Sequence, residues 1–485
     1  MDYFAGIDIG SGSTKGLLSD SRGIIISKVN ILHNLNVDAN GKSEASADIL
    51  FLEVVQVILD LLKSARASAN KLKCISISGF ESVTFLDRNG KEARPSITYL
   101  DSRSERVATE FAERVGEDLI FEKNKNRPSS IFEGYKAIWA LNNFKTRDRT
   151  VKLLDVAKYS VFRLTGQYTM DFSTGMLFAP FYNQAKDQWD EDMMKLAGVK
   201  PDILPELAES ESIVGTISKE SNEKYGLSPE TLVTVGTQDA YASLLADGVM
   251  SDGESSFIYG TSGVFDFVHD GNSFSNLFAN TRHVIKGKYV AEAAMYNSGS
   301  LLNWFGKNSR RKLRELDRIA EKRKRPGQVM AIPFFSGERA PIWNNRLRGG
   351  FLNVTFETDF FDLYVALMES IGYWVKYVLE NARNSKIEAK SIVSSGGGTK
   401  SSIWPQIISD VIGLDQEIKV SEGATQGDIF LSLKASDLID NFDEIIKTVK
   451  TEKQVKSDIS LHRKYLRKYK KFESMLNEPN FMTNF

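Results

Sequence analysis

Two short stretches constrain this chain more than any others: Asp8-Ile9-Gly10-Ser11-Gly12-Ser13-Thr14-Lys15 and Tyr259-Gly260-Thr261-Ser262-Gly263-Val264. Each reads as an apolar strand, a tight turn of glycine and hydroxyl residues, and a second strand. They lie about 250 residues apart. Either one alone is an ordinary hairpin. The repetition predicts two α/β domains of one plan, and 485 residues exceed what a single compact core holds. The boundary falls near Leu244–Asp252, which divides the chain into residues 1–246 and 247–485.

The patterning around each turn supports that plan. Phe4–Ile9, Gly16–Ser19 and Gly23–Val29 read as strands. Ile49, Leu52, Val55, Ile58, Leu59 and Leu62 fall on one face of a helix that Ser46 or Asp48 caps. Cys74–Ser78 is a buried strand, and Ser82–Asp87 and Ser96–Leu100 form a hairpin. In the second half, Leu232–Val235 leads through Gly236-Thr237-Gln238-Asp239 into the helix Ala240–Ala246. Ser255–Tyr259 and Val264–Val268 flank the second turn. Ser391–Ser394, the loop Gly396-Gly397-Gly398 and the helix Ser402–Ile412 follow, with further helices over Phe360–Asn384 and Ala424–Ala435.

Composition excludes several classes. A formal net charge of −1 builds no field for nucleic acid or an anionic membrane. Lys307–Arg325 holds ten basic and three acidic residues, and Arg463–Lys471 adds six basic ones. Both carry apolar residues at helical spacing (Leu313, Leu316, Ile319; Tyr465, Tyr469, Phe472), so they read as solvated helix faces. The lone Cys74 forms no internal disulfide and suits a reducing cytoplasm. The first residues lack a basic, signal-like start, and no run of roughly 18 apolar residues marks a spanning helix. The four scattered histidines do not suggest a metal site.

The turns point to phosphate. Gly10, Ser11, Gly12, Ser13 and Thr14 let backbone approach an anion and offer N–H and O–H donors, and Lys15 adds a charge. Asp8, at the end of the strand, can hold Mg²⁺. The spacing is not that of a P-loop, since the turn leads into a strand rather than a helix. Gly260, Thr261 and Ser262 supply a second set. Gly397 and Gly398, with Thr399, supply a third, because one glycine suffices for a βα turn and three invite a ligand. Asp239, between a strand and a helix of small residues, is the candidate base for a hydroxyl proton. The alternative is that it only caps its helix.

With these residues in place, the chain resembles the FGGY carbohydrate kinases, the family of glycerol, xylulose and gluconate kinases, from about Tyr3 to Ala435. The similarity rests on an ordered series: Asp8–Gly16, Arg94–Arg103, Phe132 with Lys136 and Trp139, and Leu153–Asp171 with its turn Leu164-Thr165-Gly166. It continues through Gly236–Gly248, Gly260–Gly263, Gly337–Asn344, Gly396–Trp404 and Gly423–Gly427. The resemblance implies two actin-like (ribonuclease H-like) ATPase domains with a cleft between them. It implies ATP and Mg²⁺ as cofactors, with Asp239 as general base and Asp8 and Asp239 at the metal. Nucleotide is expected at Gly10–Lys15, Gly260, Thr261, Ser262, Gly397, Gly398 and Thr399, and substrate near Glu81, Asp101, Arg103, Gln238 and Asp239.

The sequence departs from the family pattern around the substrate. Phe80 stands where glycerol kinases carry Arg, Tyr99 where a Trp is usual and Asn353 where a Gly is usual, and the M-H-G segment of xylulose kinases is absent. The reading leans to a pentulose or a gluconate-like acid, for which Arg103 or Arg339 supplies a cation. For Arg103, a structural ion pair with Asp101 or Glu105 is the equal alternative. A glycerol or other polyol kinase, an actin- or chaperone-like nucleotide switch, and a catalytically inactive sugar-binding regulator are the remaining readings. Expected partners are the sugar and ATP, and a homodimer is left open.

Overall fold

The protein was analysed as a computed structural model that describes residues 1–38, 40–143 and 149–478. Its contacts divide the chain into two units. The first comprises Met1–Gly248, Asn280–Gly287 and Ser421–Val449, and the second Val249–Ala279, Lys288–Val420 and Lys450–Phe485.

In the first unit, Tyr3–Ile9 pairs antiparallel with Ser13–Ser19, which pairs antiparallel with Ile25–Leu32. On its other side Tyr3–Ile9 runs parallel to Leu72–Gly79. That strand runs parallel to Leu232–Thr234, and Ile213–Thr216 closes the edge antiparallel. The second unit uses the same order. Glu254–Tyr259 pairs antiparallel with Gly263–His269, and that strand with Tyr289–Met295. Ser391–Ser395 and Gln416–Val420 then add parallel, and Lys450–Val455 antiparallel. The repeated turn in the sequence therefore marks a repeated sheet. Central strands buried on both faces, such as Tyr3–Ile9, read as continuous apolar runs because neither side meets water.

Helix Ala47–Ser64 forms where expected, and Ser46 rather than Asp48 accepts the capping hydrogen bond, from the N–H of Ile49. Of the expected face, Val55, Ile58 and Leu62 are buried and Leu59 half-buried, whereas Ile49 and Leu52 are 61% and 52% exposed; Leu50, Phe51, Val54 and Leu61 are buried besides. Apolar residues occur around much of this helix, so the periodicity supplies its existence but only part of its rotation. The two basic stretches lie on helices Gly299–Ser309, Leu313–Ala320 and Ile459–Asn477, with Leu316, Tyr465, Tyr469 and Phe472 buried and most of the cations outside. Among the described residues no helix is long and apolar enough to cross a membrane.

Helix Ala424–Ala435 belongs to the first unit, although it follows the whole of the second sheet but one strand. Two glycines let it in. A Cβ on Gly6 would stand 2.1 Å from the carbonyl oxygen of Thr425, and one on Gly427 would stand 1.9 Å from that of Ala242. The helix thus lies backbone-to-backbone against strand Tyr3–Ile9 and helix Asp239–Asp247.

Candidate active site

The first turn has its carbonyls drawn to one side. The N–H of His33 donates to Gly12 O at 3.1 Å, and the N–H of Leu35 donates to Ser11 O at 3.3 Å. The His33 ring reaches Gly10 O at 2.8 Å. Ser11 and Gly12 are exposed, and their N–H groups meet no acceptor among the described residues. A turn in this state offers donors to an anion. Thr14 does not contribute its hydroxyl: it is fully buried and donates to Glu53 Oε2 at 2.7 Å. Lys15 is exposed and close enough to Asp8 to favour its charged form.

Asp8 ends the first strand, 7% exposed, with Oδ1 buried and unpartnered. Burial pushes its carboxyl well above the usual range, and the charge of Asp239 pushes it further. Asp239 is placed by an elbow. Gly236 has φ +72°, and a Cβ there would meet Ile77 O at 2.0 Å, so only glycine fits. The next residues bridge to Gly79 through Gln238, and Asp239 opens helix Asp239–Asp247. Gln238 occupies the cap position without a side-chain bond, and Asp239, the first helical residue, accepts from the N–H of Ala240 at 2.7 Å, so its carboxylate also serves the helix N-terminus. Gln238 is fully buried with neither amide atom partnered.

Asp101 and Arg103 are brought together. The Arg103 guanidinium donates to both oxygens of Asp101, also reaches Glu44 at 2.6 Å, and lies 4.3 Å from the Trp139 ring centroid. Asp101 additionally accepts from the N–H of Ser43. The ion pair held open as a structural alternative is therefore formed with Asp101, while Glu105 accepts from Ser130 instead. Glu81 is half-buried beside Glu133, whose carboxyl is fully buried, unpartnered and pushed well up by burial and then by Glu81.

In the second unit the turn repeats the arrangement of the first. Gly260 O accepts from the N–H of Gly299 at 2.9 Å, and Thr261 O accepts from Ser298 and Ser300, each at 3.1 Å. A cavity of about 550 Å³ opens there, lined among others by Gly260, Thr261, Gly397, Lys400, Ser401 and Trp404. That volume suits a nucleoside-sized ligand. Two of the three consecutive glycines have packing reasons. Gly396 has φ +96°, and a Cβ on Gly398 would meet the Trp404 ring at 2.4 Å. Gly397 alone is open, with nothing within 4 Å of an added Cβ. The Thr399 hydroxyl donates to Gly396 O at 2.8 Å.

The N-terminal domain of the FGGY family of carbohydrate kinases matches residues 3–246, and the C-terminal domain of the same family matches residues 256–435. The chain belongs to the FGGY family of carbohydrate kinases. This FGGY kinase is 27% identical to a gluconokinase of Bacillus subtilis over 474 residues, covering 91% of this chain and 89% of that one. It is 26% identical to a xylulose kinase of Lactococcus lactis over 462 residues, 92% and 90% of the two chains. Its fold matches that of a xylulose kinase from Lactobacillus acidophilus with a TM-score of 0.92, at 22% identity and 98% coverage of both chains. The expected two-domain α/β fold is that of FGGY kinases, and the kinase is a phosphotransferase with an alcohol acceptor.

Sequence reasoning passed over a set of buried charges in the first unit of the FGGY kinase. Lys158, fully buried, pairs with Asp171 at 2.9 Å and Asp155 at 3.8 Å. Asp171 also accepts from the Thr237 hydroxyl, two residues before Asp239. Asp428, on the returning helix, accepts from Ser76 at 3.0 Å and Ser78 at 2.6 Å, and its charge is felt at Asp8. The i,i+3 spacing of Asp155 and Lys158 was the available signal, but nothing local links either to Asp428.

Burial pushes the Asp428 carboxyl up to about 7, against the opposing hydrogen bonds of Ser78 and Ser76. An acid with a raised folded pKa binds more protons folded than unfolded. Its contribution is complete below its unfolded pKa and is lost as pH climbs towards 7. Asp428→Asn removes that dependence. Between pH 5 and pH 8 the wild-type kinase should lose roughly 3 kcal/mol more than the variant in urea unfolding. Parallel pH profiles for the two proteins would show that the group does not titrate there.

Proposed function

We propose that this kinase transfers the terminal phosphate of ATP to a hydroxyl of a pentulose or a gluconate-like sugar acid, with Asp239 as general base. The observation that carries the reading is the buried Asp8 carboxyl with an unpartnered oxygen, pushed up by burial and then by the charge of neighbouring Asp239. Two neighbouring carboxylates, one of them buried with an unpartnered oxygen, fit a divalent cation. Asp8, with Asp239 beside it, would hold Mg²⁺, which when bound supplies neutralisation of phosphate charge. Among the described residues no three His, Cys, Asp or Glu converge on a metal, so these carboxylates would leave coordination positions for phosphate oxygens and water.

The chain's own groups divide the remaining work. The free N–H groups of Ser11 and Gly12 and the charge of Lys15 receive phosphate oxygens. In the second unit the cavity beside Gly260, Thr261 and Gly397 takes the nucleoside. Asp239 accepts the proton of the attacking hydroxyl as its oxygen bonds to phosphorus and the ADP oxygen leaves. Glu81 and the unpartnered Gln238 amide bind sugar hydroxyls, because a carboxylate or amide serves two adjacent groups. Asp101 and Arg103 shape that pocket as a fixed pair stacked on Trp139. The substrate lean draws on the relatives named gluconokinase and xylulose kinase. A cytoplasmic setting suits Cys74, buried and with its thiol pushed up to about 12, which makes it inert.

A coupled ADP-release screen across pentuloses, hexuloses, aldonates, glycerol and tetritols tests the reading. ATP turnover should be slow alone and rise steeply with one pentulose or aldonate, with a phosphate ester accumulating in step. Steady ADP release that no sugar stimulates would sink it.

A further inference from the structure

His33 lies outside every motif that carries the family resemblance, yet both of its ring nitrogens are committed. Nδ1 lies 2.8 Å from Glu53 Oε2, and Nε2 lies 2.8 Å from the carbonyl oxygen of Gly10 in the first turn. The His33 and Glu53 side chains are 13% and 16% exposed. Glu53 Oε2 also accepts the Thr14 hydroxyl. Glu53 comes from helix Ala47–Ser64, so the contact ties the turn to that helix.

The proton count follows from the acceptors. A backbone carbonyl has no proton to give, and a carboxylate oxygen that already receives Thr14 is acting as an acceptor. A neutral imidazole has one N–H and one bare nitrogen, so it would set a lone pair against one of these oxygens. With Glu53 ionised, only a ring carrying both protons satisfies both contacts, and the Glu53 carboxylate supplies the matching charge.

We propose that His33, held doubly protonated by Glu53, is the positioning residue of the first phosphate turn. Its ring pulls the Gly10 carbonyl back, as the backbone N–H groups of His33 and Leu35 pull those of Gly12 and Ser11. All three carbonyls, which would repel phosphate, are thereby fixed away, and the donors of Ser11 and Gly12 are left available. The second unit achieves the same end with backbone alone, through Ser298, Gly299 and Ser300. The first turn has a side chain in that place, so it can be removed by substitution.

This inference rests on the phosphate reading of the turn, and the experiment separates the two. His33→Gln keeps one donor and loses the other. The KM for ATP should rise roughly 10- to 100-fold, the scale of a lost charge-assisted hydrogen bond, with kcat and the sugar KM within about threefold. Gly12→Ala is the control for the turn itself, since an added Cβ there meets nothing within 4 Å in the protein and can only obstruct a ligand. If Gly12→Ala raises the ATP KM and His33→Gln does not, the role of His33 is overturned while the phosphate turn stands. If neither moves it, both fall. Nitrogen-15 spectra of the wild-type imidazoles give a readout independent of folding of the variants. The chain has only four histidines, and a bare ring nitrogen on His33 would overturn the proposal.

Discussion

Asp239→Asn is expected to lower kcat for sugar phosphorylation by roughly 10²- to 10⁴-fold, the usual worth of a positioned general base. Asn has nearly the same shape and takes the same first helical position, so the thermal midpoint should hold. It also removes the negative charge that raises Asp8. Sugar binding by calorimetry should persist, because the proposed contacts from Glu81 and Gln238 are untouched. Steady-state turnover at several sugar concentrations checks the prediction. A variant with wild-type kcat would remove Asp239 from the chemistry and leave Asp8 without its assigned partner.

The largest expected loss of stability comes from Gly427→Ala. The new methyl would lie 1.9 Å from the backbone oxygen of Ala242, and a backbone carbonyl cannot swing aside as a side chain can. Overpacking of this kind costs about 1–3 kcal/mol and sometimes more, and here the higher end applies because two helices must separate. Urea unfolding should show it as a lowered midpoint. Ala242 is three residues from Asp239, so kcat should fall as well, without any change in a group that touches substrate. An unchanged unfolding midpoint would mean that the helices pack more loosely than the contact implies. Gly12→Ala, with no neighbour to meet, should leave the midpoint where it is.

Much of this architecture is legible in the sequence because it is written in local signals. The turn residues Gly10–Ser13 and Gly260–Gly263 demand tight reversals, and their recurrence announces the duplicated sheet. The helices Phe360–Asn384 and Ala424–Ala435 have the expected limits. The site was readable where a backbone requirement coincided with a chemical one, as at Gly236 before Asp239. It was not readable where a residue's meaning depends on a distant partner. Asp428 reads as an ordinary polar residue on a helix until that helix lies over Ser76 and Ser78, roughly 350 positions earlier. His33 reads as a loop residue until Glu53 and Gly10 converge on it. Thr14 fits a phosphate turn by type, but its hydroxyl faces the helix. The triple glycine invited a ligand at three positions, and ring packing on Trp404 accounts for one of them. The rotation of helix Ala47–Ser64 was read only in part, with Val55, Ile58 and Leu62 buried but Ile49 and Leu52 exposed, because its composition is apolar on more than one side.

The late return of helix Ala424–Ala435 to the first unit has a consequence for biosynthesis. Strand Tyr3–Ile9 and helix Asp239–Asp247 leave the ribosome long before the segment that seals them. Residues 249–435 must be made in between, which takes on the order of 10–40 s at ~5–20 residues per second. Throughout that interval the small-residue surface at Gly6 and Ala242 lacks its cover, and Asp428 is not yet present to meet Ser76 and Ser78. The nascent first unit therefore stays incomplete until that helix has been made. A gene truncated at the homology boundary near residue 246 should yield a chain that aggregates, because the segment that completes it, Ser421–Val449, comes only after the second sheet's core strands.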